Sequence, residues 1–209
     1  MNIRIVPITL VIAATLTGCA TTPSAMPIPN SGKSHAVFDL YRGTSFDYDL
    51  VSDPDMLAAG SKLVVEGVIQ DAFWGRTWGI KGDQVADWKS ITLAVRVDKV
   101  YAGDQTFASK TVYLEQQVSA GVTPGEFKKA LIGAKAALFL IQAVGPDKAS
   151  LVQDPLGGRP AGEPLWVSGP QGFAVSEPSS SEVIWPMLQD SETGQLSDAL
   201  PGGSLAPTE

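Results

Sequence analysis

The run Ile91-Thr92-Leu93-Ala94-Val95-Arg96-Val97-Asp98 constrains the fold more than any other stretch of this chain. Ile91, Leu93, Val95 and Val97 recur at every second position, while Thr92, Arg96 and Asp98 fall between them. A period of two places the apolar set on one face of a β-strand, whereas a helix would scatter it around the axis. After Lys99 the apolar phase slips by one to Val100, as a β-bulge requires. Ala102-Gly103-Asp104 then turns the chain.

The remaining patterns agree with an all-β chain. Leu63–Gln70 reads as a strand with Leu63, Val65 and Ile69 on one face, and Thr111–Val118 as another. Ala136–Ile141 is continuously apolar, which predicts a central strand buried on both faces. Leu151-Val152, Leu165–Val167 and Phe173–Val175 are short later strands between Gly- and Pro-rich turns. Two helices are expected. Ser52 or Asp53 caps the first, with Pro54 in its first turn and Gly60 at its end. Thr123-Pro124-Gly125-Glu126 has capping-box spacing and opens a second helix that ends at Gly133. Short strands dominate, so a small Greek-key barrel or sandwich with one or two short helices is expected. With a single cysteine no internal disulfide forms, and the 44% hydrophobic content must stabilise the domain by burial.

The ends differ in composition from the middle. Arg4 precedes a nearly unbroken apolar run, Ile5–Leu16, followed by Thr17-Gly18-Cys19. The run is shorter than the roughly 20 residues needed to span a bilayer, so it reads as a signal peptide over residues 1–18. Leu16-Thr17-Gly18-Cys19 resembles a bacterial lipobox, which implies acylation of Cys19 and cleavage before it. Residues 19–35, rich in Thr, Pro, Ser and Gly, read as a flexible tether. Residues 36–188 form the expected β-barrel domain. Residues 189–209, rich in Ser, Gly, Pro and acid, read as a disordered acidic tail.

Charge narrows the partners. The formal net charge is −7, which disfavours nucleic acid and electrostatic attachment to anionic lipid. Membrane attachment is therefore expected through the lipid at Cys19. The domain would then lie on the extracytoplasmic side of the cell membrane or outer membrane.

Four segments occur in an order that resembles a known group. They are Val65-Glu66-Gly67-Val68-Ile69, then Val95 through Asp104, then Leu138-Phe139-Leu140, then Gly169-Pro170-Gln171-Gly172-Phe173. The pattern looks like that of a loose group of uncharacterised bacterial secreted proteins similar to netrin-like, OB-type barrels. Those barrels include the tissue inhibitors of metalloproteases. The match runs from about Leu57 to Ser176 and implies an OB/netrin-like barrel. The inhibitors' zinc-chelating mechanism does not carry over, because it needs a free N-terminal cysteine and Cys19 is expected to be lipidated.

Few residues carry recognisable chemistry. His35 is the only histidine, and at the tether edge it reads as a solvated linker residue. The chain lacks the usual ligand set for zinc, and no metal site or cofactor is expected. No G-x-S-x-G, S-x-x-K, H-E-x-x-H, P-loop or G-x-G-x-x-G motif occurs. Asp71, Asp83, Asp87, Asp98, Asp104, Asp147 and Asp154 read as solvated or turn acids. The alternatives are a catalytic pair among them and a calcium site at Asp147 and Asp154.

The tryptophans are more informative. Phe73-Trp74-Gly75-Arg76-Thr77-Trp78-Gly79 reads as the connection between the first two main strands. An exposed indole in such a loop stacks on sugars or anchors a peptide. Alternatively, the rings of Trp74 and Trp78 fold back and cap the barrel. Trp166 and Trp185, among apolar neighbours, read as core or barrel-edge residues. Gly169–Gly172 reads as a tight turn. The expected function is a non-enzymatic, lipid-anchored envelope module that presents Trp74, Arg76 and Trp78 to a protein or cell-wall glycan. The alternatives are a carboxylate-dependent hydrolase of cell-wall material and a purely structural envelope protein.

Overall fold

The computed structural model describes residues 35–80, 88–145 and 150–207. The signal peptide, Cys19 and nearly all of the expected tether lie outside this range, as do Asp83, Asp87 and Asp147. The elements in chain order are α1 (Ala36–Asp39), α2 (Pro54–Ala59), β1 (Leu63–Ile80), β2 (Trp88–Ala102), β3 (Thr111–Gln117), α3 (Pro124–Leu131), β4 (Lys135–Gln142), β5 (Ser150–Gln153), β6 (Leu165–Val167), β7 (Phe173–Ser176), β8 (Glu182–Trp185) and β9 (Asp190–Thr193). Single 3-10 turns occupy Gln105–Phe107, Pro170–Gly172 and Leu196–Ala199. The mainly-β class expected from the strand patterns is what is observed. Among the described residues, no helix is long and apolar enough to cross a membrane.

Strand pairing closes a ring. β1 pairs antiparallel with β2, β2 with β3, and β4 with both β1 and the short β6, while β3 and β6 run parallel. Beyond the ring, β5 adds to the far end of β1, and β7, β8 and β9 extend outward from the start of β4. The long β1–β2 pair bends around the ring through several bulges. Gly67 pairs with Val97 and Glu66 with Lys99, so Asp98 is the extra residue behind the phase slip seen in the sequence. A side chain at Gly67 would place its Cβ 2.3 Å from the Arg96 carbonyl oxygen, so the two backbones meet there only because residue 67 is glycine.

Alternation fills the inside of the ring. Leu63, Val65 and Ile69 of β1, Ile91 through Val97 at alternate positions of β2, and Ala136, Leu138 and Leu140 of β4 share one buried cluster. Phe127 and Leu131 of α3 and Leu40 and Tyr41 after α1 close it, with Tyr41 edge-on to Phe127 at 5.9 Å. The capping box forms as expected. Thr123 Oγ1 accepts from Glu126 N, and Glu126 Oε2 accepts from Thr123 N. Asp53 caps α2 by accepting from Asp55 N at 2.6 Å.

A second cluster forms on the opposite face of β4. Val64, Ala137 and Phe139 turn outward and meet Ala174, Val183, Trp185, Leu196, Ala199 and Leu200. This explains the apolar run of β4 from Ala136 to Leu140, where odd and even positions are both buried, each in its own cluster; Ile141, at the strand's end, is exposed.

Two expectations are corrected here. The tail over residues 189–209 is ordered through Pro207: it forms β9 and the Leu196–Ala199 turn and covers the outer face of β4. Leu196 and Leu200 each bring about 1.5–3 kcal/mol of burial, which with Ala199 and the β8–β9 pairing works against a composition that by itself favours disorder. Asp198 Oδ2 accepts from Gln195 N, and Asp55 Oδ1 accepts from Gly202 N, which fixes the path. His35 is likewise not a solvated linker residue. Its side chain is 12% exposed, its ring meets Phe38 edge-on at 5.1 Å, and its Nε2 lies 3.4 Å from Glu182 Oε2. Val37, two residues on, is buried in the main core cluster.

Candidate functional site

The segment Phe73–Gly79 is not a loop. It continues β1, with Trp74 opposite Ile91, Thr77 opposite Lys89 and Trp78 opposite Trp88. Between Trp74 and Thr77 the register shifts by one residue, so Gly75-Arg76 forms a bulge. A Cβ at Gly75 would lie 2.3 Å from Ser90 Oγ, which leaves room for glycine alone. The strand persists because β2 supplies its hydrogen-bonding partner, despite the glycines and charge that read locally as a connection.

The bulge separates the three expected site residues. Trp74 stays on the surface, 45% exposed, with Lys89 Nζ 5.0 Å from its ring centroid. Arg76 turns into the protein and Trp78 stands beside it, with the guanidinium carbon 4.3 Å from the Trp78 ring centroid. Arg76 and Trp78 share a cavity of about 390 Å³, and Trp74 is not part of its lining. Trp88 completes the aromatic wall with Phe46.

The floor of the cavity is a buried fork. Arg76 Nε donates to Glu115 Oε1 at 2.9 Å, and Nη2 donates to Oε2 at 2.5 Å. Arg76 Nη1 donates to the Val144 carbonyl at 3.1 Å. The two side chains are 8% and 7% exposed. Ser90 Oγ lies 2.7 Å from Glu115 Oε1 and 3.0 Å from the Arg76 carbonyl, and its one proton serves either acceptor. Gly157 and Gly158, both at positive φ, let the following segment lie directly on this face. A Cβ at Gly157 would come within 3.2 Å of Arg76 N, and one at Gly158 within 2.6 Å of Phe73 Cβ.

Residues 43–53, a strap between α1 and α2 that carries Phe46, are held from the other side. Gln171 accepts from Val51 N and donates to Val51 O, both at 2.8 Å, so its carboxamide pairs with the strap backbone as a strand would. Thr44 and Ser119 hydroxyls meet at 2.7 Å near the other end. Gln171 thus supports a cavity wall from within the turn that the sequence places at Gly169–Gly172.

The other expected acids are dispersed. Asp71 pairs with Lys128 at 2.6 Å, and this contact lowers its pKa below the usual carboxylate value. Asp98 pairs with Arg96 at 2.7 Å. Asp104 caps the Gln105–Phe107 turn through Thr106 N, which lowers its pKa. Among the described residues, no three His, Cys, Asp or Glu side chains gather as a metal site would need. Trp166 and Trp185 are buried, as expected.

Glu115, Ser90 and Phe46 belong to the site and escaped sequence reasoning. Glu115 stands directly opposite Thr92, a position that alternation assigns to the outer face. That assignment was the available signal, but nothing local says that Arg76 comes to meet it.

Comparison of the chain with protein families, with curated proteins and with solved structures found no match in any of the three.

Proposed function

We propose that this protein is a non-enzymatic binding module of the cell envelope, tethered through a lipid on Cys19. The ring of five strands supports reading the domain as an OB-type barrel. The observation that carries the binding reading is the cavity walled by Phe46, Trp78 and Trp88. Its size falls in the range of small-ligand sites, about 300–1,000 Å³, and aromatic walls over a few polar groups are their usual lining.

The hydrolase alternative has less support. A glycosidase needs two carboxylates flanking the scissile bond. Among the described residues that line the cavity, Glu115 is the acid, and both of its oxygens are engaged by Arg76.

The test is thermal unfolding of the purified full chain against cell-wall fragments and envelope proteins, with tryptophan emission followed in parallel. A ligand at about 100 times its Kd raises stability by roughly 2.7 kcal/mol. The reading requires a saturable shift that Trp78→Ala and Trp88→Ala abolish while the fold is kept. A shift unaffected by either variant would move binding elsewhere. In the same preparation, Cys19→Ala is expected to move the protein from the detergent phase to the aqueous phase.

A further inference from the structure

The charges of the cavity cancel before any ligand arrives. Among the described lining residues, Arg76 and Glu115 are the charged ones, and they are locked to each other. Arg76 has Nε, Nη1 and Nη2 engaged at once, and one face of the Trp78 ring lies against its guanidinium. The polar groups left to a ligand are neutral: the Nε2 amide of Gln116, whose Oε1 accepts from Tyr41 Oη at 3.0 Å, the carboxamide of Gln117 and the hydroxyl of Ser168.

We propose, resting on the binding reading above, that the cavity takes an uncharged saccharide. A sugar ring presents apolar C–H bonds to the Trp78 and Trp88 indoles and hydroxyls to Gln116, Gln117 and Ser168.

Two features favour this over other ligand classes. Trp88 is 41% exposed and stands directly opposite Trp78 on the neighbouring strand, so indole surface is open to a ligand. Gln116 Nε2 reaches its present acceptors, the Glu115 carbonyl and Ser168 Oγ, only at 3.3 and 3.5 Å. Those bonds lie beyond the usual N–H···O range of about 2.7–3.2 Å, so the amide retains donor capacity for an incoming oxygen. An anionic ligand would have to open the Arg76–Glu115 fork and strand a buried carboxylate. An alkyl chain would strip water from the amides and the hydroxyl without replacing its hydrogen bonds.

The experiment titrates the full chain with four probes: neutral β-linked oligomers of N-acetylglucosamine and of glucose, an oligogalacturonate of equal length, and an apolar fluorescent dye. Tryptophan emission and melting temperature are read for each. The neutral oligomers should saturate the emission change and bind at least about tenfold tighter than the acidic one. Trp88→Ala and the more conservative Gln117→Ala should each weaken that binding, and Gln117→Ala should leave the melting temperature of the free protein unchanged. Equal or tighter binding of the acidic oligomer would overturn the proposal. If neither neutral oligomer binds while the dye saturates a Trp88-dependent signal, the saccharide is wrong and the binding module stands. If no probe reaches the tryptophans, the saccharide proposal fails, and the binding reading fails with it only if the envelope proteins titrated above also leave the melting temperature unchanged.

Discussion

The guanidinium of Arg76 and the carboxylate of Glu115 meet as a two-pronged fork between β1 and β3, 39 residues apart in sequence and nearly sealed from water. Removing either partner leaves a charge in a place where solvent does not replace the lost bonds. Arg76→Met and Glu115→Leu are each expected to cost about 3–5 kcal/mol. The double variant should lose much less than the sum, because it removes both charges together. Denaturant midpoints of the four proteins measure this coupling. Single losses near those of a surface pair, about 0–1 kcal/mol, would mean that the fork is hydrated in solution.

The ordered end of the chain gives a second prediction. Deleting everything after Leu188 uncovers Phe139, Val183 and Trp185, which Leu196, Ala199 and Leu200 now cover. The shortened chain is expected to melt lower and to show red-shifted tryptophan emission. The milder Leu200→Ala should cost about 2–5 kcal/mol, as for other buried leucines. An unchanged melting temperature in both would show that this end does not pack against β4.

Tyr41 supplies a pH prediction. Its phenol is fully buried and donates to Gln116 Oε1 at 3.0 Å, and burial raises its pKa well above the ordinary value. In the unfolded chain the same phenol ionises near pH 10, roughly. The raised value in the folded state means that the Tyr41 contribution is fully present below that pH. It declines as pH rises through the unfolded value toward the folded one. Stability measured between neutral and strongly alkaline pH should therefore fall, and Tyr41→Phe should flatten that fall while lowering stability at neutral pH. Equal alkaline slopes for the two proteins would remove Tyr41 as the cause.

The part of the fold that was legible is the part governed by neighbours in sequence. The alternation of Ile91 through Val97, the cap at Asp53, the capping box at Thr123 and Glu126, and the slip at Asp98 all depend on residues a few positions apart. The candidate site was half legible. Trp78 and Arg76 stood out by type, but Gly75 and the charges around them imitate a loop. Only pairing with β2 makes that segment a strand, and only the bulge sends Arg76 inward and leaves Trp74 outside. Glu115 was invisible as a site residue, because an acid on the outer position of a strand is ordinarily solvated.

By itself, then, the sequence determined the strands at Leu63–Gln70 and Ile91–Asp98, the helices that open at Pro54 and Pro124, and which faces of β2 and β4 are apolar, since backbone sterics and the two-residue period act locally. The tertiary structure decided where those faces close into a ring and that Arg76 finds Glu115. It also decided that Leu196 and Leu200 hold an acidic, glycine-rich end in place. Those outcomes depend on register and on apolar area shared between distant segments, quantities that exist only once the chain has come together.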